Sequence, residues 1–358
     1  MAKKEINYLS DCLDTILGYN ARYNMIISDR SFGKTYGLFK RAIKNWIKNK
    51  DEFIYLRRNV TEVDAKHTEH LFDKVATDLD FHSNFLFKVE GSKCYIADVT
   101  YCSEEQILNK EYEWNLFGYI IALTQAVTYK SIDFPKVTMI MYEEFLIVES
   151  GGRRYLPNEA WLLKDFFTTV ARERPDKIKV FLLGNRVSPI NPYFSEFNVF
   201  PYDERKEYYF NKKTNCLLFY VGESGERHAE KMIESYGEDS SYTDYAFGGS
   251  WQHGTGENFI EKKTGNCWYR CTLIVNGGEY GVWYDQVYGT VYISNDVDKN
   301  CRDVFALTTK DHRPNAMLIK NANKIYQIKL IKDCYAYGQL RYETQKIKMT
   351  MNQWVKWL

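Results

Sequence analysis

Short apolar runs alternate with amphipathic segments through the first two hundred residues of the chain. The runs lie at residues 25–27, 53–56, 118–123, 137–142 and 179–183. After the first run, apolar residues recur at helical spacing on one face: Leu38, Phe39, Ala42, Ile43 and Trp46. Strands that alternate with helices are typical of α/β proteins with a mostly parallel sheet. We therefore predict such a domain over residues 1–200.

Weaker patterns add further elements to this domain. Apolar spacing predicts a short leading helix within the first twenty residues and another helix at 158–171, and a polar helical region is expected at 62–79. Two runs rich in β-forming residues, 85–89 and 93–97, are separated by a Glu-Gly-Ser turn. They predict a hairpin inserted into the α/β pattern.

The pattern changes after about residue 195. Three prolines argue there against continued sheet or helix: Pro189, Pro192 and Pro201. An acidic stretch follows and predicts a small linker subdomain over 201–245, with a helix at 226–236. From residue 246, frequent glycines separate short β-rich runs. We expect residues 246–358 to form a β-rich α+β domain with helices toward its end.

Composition narrows the function classes only a little. The 358 residues are 45% hydrophobic with a net charge of +1, and no apolar run approaches the ~20 residues of a membrane span, so no membrane partner is expected. The eight cysteines show no C-x-x-C pair, which argues for free thiols in a reducing cytoplasm rather than a zinc site. Residues 310–358 hold ten Lys/Arg against three acids, which predicts a basic surface.

The segment SDRSFGKT at 28–35 stands between the first apolar run and the first amphipathic helix. It fits the phosphate-loop pattern G-x-x-x-x-G-K-[ST], except that Ser28 replaces the first glycine. In this context the loop backbone is expected to surround a phosphate, with Lys34 on the β/γ oxygens and Thr35 on Mg²⁺. The remaining loop residues share the nucleotide contact: Asp29, Arg30, Ser31, Phe32 and Gly33. The alternative is a glycine-containing turn with a solvated lysine.

Two later apolar runs end in polar residues that suit the same site. The run at 137–142 leads into Glu143 and Glu144, of which the first would face Mg²⁺ and the second would activate the attacking water. The run at 179–183 leads to Asn185, which would sense the γ-phosphate, because carboxyl ends of parallel strands form the ligand crevice. The alternatives are a solvated acidic strand end and a loop-capping Asn.

Three segments together, SDRSFGKT, TMIMYEEF and LLGN followed by RVSPINPYF, resemble the packaging ATPases of phi29-like tailed bacteriophages, which are relatives of large terminase subunits. Both Ser28 and Arg30 match variants of the phosphate loop in that group. The resemblance implies an ASCE-type P-loop NTPase with ATP and Mg²⁺ as cofactors. It also implies a motor that threads double-stranded DNA into a procapsid. The motor is expected to be a homo-oligomeric ring, pentameric in this family, docked on the portal in the host cytoplasm. A structural RNA is a further partner in part of the family.

Family positions also suggest roles for single residues. Arg172 matches a trans-acting arginine finger, with Arg174 as the neighbour and Arg30 as a cis alternative, and Lys130 matches a lysine at subunit contacts. Ion pairs at the surface are the competing interpretation. Arg57 and Arg58, at the end of the run at 53–56, are candidate DNA or subunit contacts.

The last domain resembles a reduced RNase H-like nuclease domain. Nuclease chemistry needs several carboxylates around two metal ions, and only three acids lie close to the β-rich core: Asp285, Asp296 and Asp298. We therefore expect no nuclease activity and a basic face that binds nucleic acid or the portal. Two other functions stay open at this point, a helicase-like nucleic-acid ATPase and a non-catalytic nucleic-acid-binding component.

Overall fold

A computed structural model of the chain describes residues 8–30, 32–77, 84–147, 154–189, 191–201, 206–221 and 259–355. The chain divides into two compact units. The first comprises Met1–Ser188 and Glu204–Gln252, and the second comprises Pro189–Asp203 and His253–Leu358. In the part that the structure describes, no helix is both long and apolar enough to cross a membrane.

The first unit is built on a nine-stranded sheet. Its strands are β1 Tyr23–Ile27, β2 Glu52–Arg57, β3 Phe85–Glu90, β4 Lys93–Asp98, β5 Asn115–Ala122, β6 Val137–Glu143, β7 Lys179–Gly184, β8 Tyr208–Asn211 and β9 Cys216–Tyr220. They lie in the order β3-β4-β5-β2-β6-β7-β1-β9-β8. In this spatial order the six central strands, β5, β2, β6, β7, β1 and β9, pair in parallel. The hairpins at the two edges of the sheet pair antiparallel with them. The predicted parallel sheet and inserted hairpin are thus confirmed.

Helices flank this sheet, and the apolar periodicity predicted three of them: the leading helix, the helix after the phosphate loop and the helix at 158–171. They are α1 Leu9–Gly18, α2 Lys34–Asn49, α3 Ala65–Thr68, α4 Asp73–Ala76, α5 Glu104–Leu108 and α6 Glu159–Ala171. The five predicted apolar residues of α2 are all buried, which explains why β1 can be buried at every position. The polar helical region expected at 62–79 contains the two short helices α3 and α4, and Phe72 between them packs its ring against those of Phe39 and Phe87.

Two predictions around residue 200 need correction. Residues 208–220 form β8 and β9 of the first sheet rather than part of a separate linker, because the apolar β9 pairs with β1 along its whole length. The proline-rich segment contains α7, Pro192–Phe197, in the second unit. Proline is tolerated at a first helical position, and the Asn191 side chain caps the helix by accepting from two backbone N–H groups. The helix expected at 226–236 lies outside the described residues.

The second unit contains a six-stranded sheet, in agreement with the predicted β-rich α+β fold. Its further elements are β10 Cys267–Val275, β11 Gly278–Asp285, β12 Thr290–Ser294, β13 Val304–Ala306, β14 Met317–Leu318, α8 Tyr326–Ala336, β15 Leu340–Tyr342 and α9 Gln345–Val355. The order is β14-β13-β10-β11-β12-β15. Strands β10 to β12 are antiparallel, whereas β13, β14 and β15 each pair in parallel. Asn276 and Gly277 both have positive φ (53° and 74°), as a tight β10–β11 hairpin requires.

Candidate nucleotide site

The phosphate-loop candidate connects β1 to α2 at the edge where the parallel strands end. Gly33 immediately precedes α2 and has φ +70°, a backbone conformation that favours glycine. Ser28 and Asp29 are buried, Arg30 is exposed, and Ser31 lies outside the described residues. Phe32 is buried, and its carbonyl accepts a hydrogen bond from the backbone N–H of Leu9. The start of the leading helix is therefore hydrogen-bonded to the phosphate-loop candidate.

The Lys34 ammonium lies within the loop. Its Nζ donates to the Asp29 carbonyl and the Ser28 Oγ, both at 2.9 Å, and to the Asn185 Oδ1 at 3.0 Å. The serine that replaces the usual glycine thus supplies a hydroxyl acceptor. Burial lowers the pKa of Lys34 to about 7. The Lys34 ammonium thus binds oxygens of the loop and of Asn185 at the positions that phosphate oxygens are expected to take.

Thr35 and Glu143 meet across the same cleft. The Thr35 hydroxyl donates to one carboxylate oxygen of Glu143, and the Tyr55 hydroxyl donates to the other. Hydroxyl and carboxylate oxygens are the donors that Mg²⁺ prefers, so this pair fits the ion. Burial, and then the Glu143 charge, raise the pKa of Tyr55, which keeps its hydroxyl protonated. Sequence reasoning missed Tyr55, because only the pairing of β2 with β6 brings its hydroxyl to Glu143.

Glu144 pairs with Arg57, a residue that the sequence suggested as a candidate DNA or subunit contact. The Arg57 Nη2 is 2.8 Å from the Glu144 Oε2, and its Nη1 is 3.6 Å from the Glu143 Oε2. Only 15% of the Arg57 side chain is exposed. Glu144 itself has φ +52°, a conformation rare outside glycine. The structure therefore places Arg57 beside Glu143 and Glu144, where its guanidinium bridges both carboxylates.

Arg58 points to the other face of the sheet and is buried. Its guanidinium pairs with the buried Glu159 at 2.8 Å and donates to the Phe145 carbonyl at 2.9 Å. The Tyr142 hydroxyl donates to the same Glu159 at 2.8 Å. A DNA or subunit contact through Arg58 is wrong, because its guanidinium is inaccessible and already bonded. Side chains alternate between faces at the end of a strand, so two adjacent arginines have different surroundings.

Two clefts adjoin the loop. One, of about 480 Å³, is lined by Arg30, Lys34, Thr35, Glu143, Glu144 and Asn185 among others. The second, of about 570 Å³, lies between α1 and α2, where Tyr8, Leu13 and Lys40 contribute to its lining. Gly33 and Tyr36 border both clefts. The two clefts are therefore neighbours on either side of Gly33 and Tyr36.

Two of the three candidate arginine fingers, Arg172 and Arg174, lie near the start of β6, at the opposite ends of the strands from the phosphate loop, whereas Arg30 lines the first cleft. Arg172 ends α6 with φ +44°, and its guanidinium contacts the Ile132 carbonyl (3.2 Å) and Asp133 (3.7 Å), just before β6 begins. The loop lies where β6 ends, roughly 20 Å away for a seven-residue strand. Arg172 therefore does not belong to the phosphate cleft of its own chain.

Arg174 and Lys130 lie at the same strand ends as Arg172. The Arg174 guanidinium donates to the carbonyls of Phe134 (2.6 Å) and Val137 (3.2 Å). The Lys130 Nζ is 3.1 Å from Asp165. Arg174 thus holds the backbone that leads into β6, whereas the Arg172 and Lys130 side chains are about half exposed.

The three candidate acids of the second unit lie at two places: Asp285 ends β11, and Asp296 and Asp298 share the loop between β12 and β13. Asp285 is buried and accepts hydrogen bonds from the Thr264 hydroxyl and from two backbone N–H groups, which lower the pKa of its carboxyl. Asp296 pairs with Lys263 at 3.1 Å. Asp298 accepts from the backbone N–H of Asn300 at 2.9 Å. Among the described residues, no group of three or more His, Cys, Asp or Glu side chains is placed to hold a metal ion.

Strand order and loop geometry now define a class. β7 lies between β1, which leads into the loop, and β6, which carries the carboxylates. Together with the Lys34, Thr35 and Glu143 contacts, this arrangement is that of an α/β P-loop protein. The particular family follows from a model for the podovirus DNA encapsidation protein (Gp16), which matches residues 6–356: the chain belongs to that family.

Individual relatives agree with this assignment. The chain is 30% identical over 338 residues to the DNA packaging protein of Bacillus phage B103, covering 93% of this chain and 96% of the relative. It is also 30% identical over 335 residues to that of Bacillus phage phi29, covering 93% of each. The solved bacteriophage Phi-29 viral genome packaging motor assembly matches with a TM-score of 0.67 at 27% identity over 96% of this chain and 97% of that chain. The Phi-28 gp11 DNA packaging motor, at 16% identity and a TM-score of 0.64 over 99% and 98% of the two chains, shows the shared fold alone.

Proposed function

We propose that this protein is an ATP-hydrolysing motor that moves double-stranded viral DNA into a procapsid. The carrying observation is the convergence of Lys34, Thr35, Glu143 and Glu144 at one edge of the parallel sheet. Each has a separate task in phosphoryl transfer to water. The relatives named as DNA packaging proteins support the substrate, DNA, and the assembly context.

The cleft residues divide the work of hydrolysis. Thr35 and Glu143 would hold Mg²⁺, which neutralises charge on the β- and γ-phosphates. Lys34 would exchange its loop acceptors for phosphate oxygens, and Asn185 would lose that lysine contact at the same moment. Glu144 would orient and deprotonate the attacking water. Because Arg57 binds Glu144 here, this contact has to open before the carboxylate can face the water.

The nucleoside would extend into the cleft between α1 and α2. That cleft meets the phosphate cleft at Gly33 and Tyr36, and it combines an apolar floor at Leu13 with the aromatic ring of Tyr8. A flat base can stack on such a ring. The leading helix, for which the sequence suggested only a packing role, thereby forms one wall of the nucleoside site.

Arg172 would complete a neighbour's site in a ring of identical subunits. Its distance from its own loop argues against a cis role, and its half-exposed guanidinium can be presented to another subunit. Arg174, bonded to backbone carbonyls, would hold the surrounding segment. We propose a pentameric ring docked on the portal in the host cytoplasm, with a structural RNA as a further candidate partner.

The second unit is proposed to be an RNase H-like domain without nuclease activity. Three antiparallel strands followed by two parallel ones in the order β12-β11-β10-β13-β14 support this assignment. Its candidate acids Asp285, Asp296 and Asp298 are each bonded to local partners rather than grouped around a metal site. The basic end of the chain is proposed to contact nucleic acid or the portal.

One experiment tests the motor and its shared active site together. ATP turnover of the purified protein is measured with and without duplex DNA, for wild type, Glu144→Gln, Arg172→Ala and an equimolar mixture of both variants. We expect DNA-stimulated turnover in wild type, little in either variant alone and partial recovery in the mixture, since one subunit supplies the arginine and another the glutamate. No recovery would exclude the trans finger, and strand displacement by wild type would indicate a helicase instead.

A further inference from the structure

A buried arginine connects the phosphate loop with two other strand ends of the first sheet. Arg186 follows β7, and its side chain is 0% exposed. One end of the guanidinium, Nη1, donates to the Asp29 carboxylate in the loop. The other end, Nη2, donates to the Val221 carbonyl directly after β9. The Tyr220 ring covers the guanidinium, with 5.3 Å between the Arg186 Cζ and the ring centroid.

Each partner of this arginine has a second contact with the phosphate loop or with the strand that leads into it. Asp29 offers its carbonyl to the Lys34 ammonium, which also binds Asn185, the residue next to Arg186. The Val221 backbone N–H donates to the carbonyl of Ile27, the last residue of β1, at 3.0 Å. The ends of β1, β7 and β9 are thus joined through a single guanidinium.

Stability alone does not explain a charged pair in this place. Burying two ions costs several kcal/mol of desolvation, and apolar residues of similar volume are often equally stable. A bidentate guanidinium does provide fixed geometry between two acceptors, which an apolar contact does not. The position in the chain also matters, because Arg186 lies two residues before Ser188, the last residue before the chain enters the second unit.

We propose that Arg186 is a positioning residue that transmits the occupancy of the phosphate loop to the ends of β7 and β9. A bound triphosphate draws the Lys34 ammonium away from the Asp29 carbonyl and from Asn185. Both residues then adjust, and Arg186 carries the adjustment to Val221. This inference rests on the proposed nucleotide site, but it concerns a residue outside the binding and catalytic groups.

Hydrogen–deuterium exchange of the full-length protein tests the proposal. Nucleotide affinity is measured first, and exchange of peptides covering 216–221 is then compared with Mg²⁺-ADP and with a non-hydrolysable Mg²⁺-ATP analogue. In wild type we expect exchange there to differ several-fold between the two nucleotides. In Arg186→Lys the positive charge beside Asp29 remains, but a single ammonium cannot bond to Asp29 and to the Val221 carbonyl at the same time, as the two guanidinium nitrogens do. The difference should disappear while affinity for the analogue stays within about threefold.

Arg174→Lys is the matched control, since it removes a comparable two-carbonyl guanidinium bridge near the start of β6. It should keep the nucleotide-dependent difference at 216–221. The double variant Asp29→Asn/Arg186→Met, which leaves no buried charge, should lose the difference as Arg186→Lys does.

The inference would be overturned if Arg186→Lys kept the nucleotide-dependent exchange difference at 216–221, or if Arg174→Lys lost it equally. It would also be overturned if Arg186→Lys lost so much affinity for the analogue that weaker binding explained the effect, or if neither Arg186 variant folded. A wild type that binds nucleotide but shows no difference would refute the role of Arg186 and leave the proposed function intact. A wild type that binds no nucleotide would refute both.

Discussion

Where the parallel strands of the first unit end, three cationic side chains are mostly enclosed and each is held by polar acceptors; where β6 begins, two cationic side chains are about half exposed. Lys34, Arg57 and Arg186 belong to the first group, and Arg172 and Lys130 belong to the second. Groups that hold a ligand gain from a dry, fixed environment. Groups that act on a neighbouring subunit have to be reachable and only weakly held. Four predictions test this contrast.

The largest effect is expected from Arg172→Ala. Because the guanidinium would stabilise charge on the transferring phosphoryl group of a neighbour, kcat should fall by ~10³ to 10⁵ with nucleotide affinity unchanged. Steady-state turnover with duplex DNA measures kcat, and titration with a fluorescent ATP analogue measures affinity. Arg174→Ala is the control and should instead lower the melting temperature, since it leaves the Phe134 and Val137 carbonyls without their donor. If Arg172→Ala and Arg174→Ala lost kcat equally and neither changed the melting temperature, the two arginines would not differ in role as proposed.

Glu144→Gln should reduce hydrolysis by ~10² to 10⁴, because the amide cannot accept the proton of the attacking water. Nucleotide binding should persist. Phosphate release and equilibrium binding separate the two quantities. Glu105→Gln, on the exposed first turn of α5, serves as a control with the same change of charge. Hydrolysis at the wild-type rate in Glu144→Gln would remove Glu144 from the mechanism.

Arg58→Met should destabilise the first unit by about 3 to 5 kcal/mol, because it leaves the buried Glu159 carboxylate without its cation. Lys130→Met, which breaks the half-exposed pair with Asp165, should cost at most about 1 kcal/mol. Urea denaturation followed by tryptophan fluorescence measures both. Similar values for the two variants would show that the two ends of the strands do not differ in how they use charge.

The smallest expected effect is the uptake of a proton by Lys34 when nucleotide binds. In the ligand-free protein Lys34 has a pKa of about 7, so at pH 8 its amine is mostly neutral. Phosphate oxygens favour the ammonium and raise this pKa, so binding at pH 8 should take up on the order of one proton. At pH 6, where Lys34 is already charged, its uptake should vanish. Calorimetry in buffers of different ionisation enthalpy measures the uptake. Lys34→Arg, which stays charged throughout, should show none from this position.

The main outline of the first unit followed from local patterns. Apolar periodicity predicted β1, α2, β6 and β7, because side-chain spacing of two or 3.6 residues reflects burial of one element against its neighbours. The phosphate loop was equally local, since its ligands lie within eight consecutive residues. Pattern reasoning failed where composition misled it: the charges around 201–245 concealed the short apolar β9.

Contacts between strands distant in sequence were decided by the tertiary structure alone. The order of strands brings Tyr55 and Arg57 to the carboxylates at 143 and 144, turns Arg58 toward Glu159, and sets Arg186 between Asp29 and Val221. Sequence spacing records which residues share a turn or a face. It does not record which strands become neighbours in a sheet, because pairing depends on the burial and hydrogen bonding of the whole sheet at once. The sequence by itself thus specified the phosphate-loop motif. The fold determined which charged side chains contact that loop and which remain exposed where β6 begins.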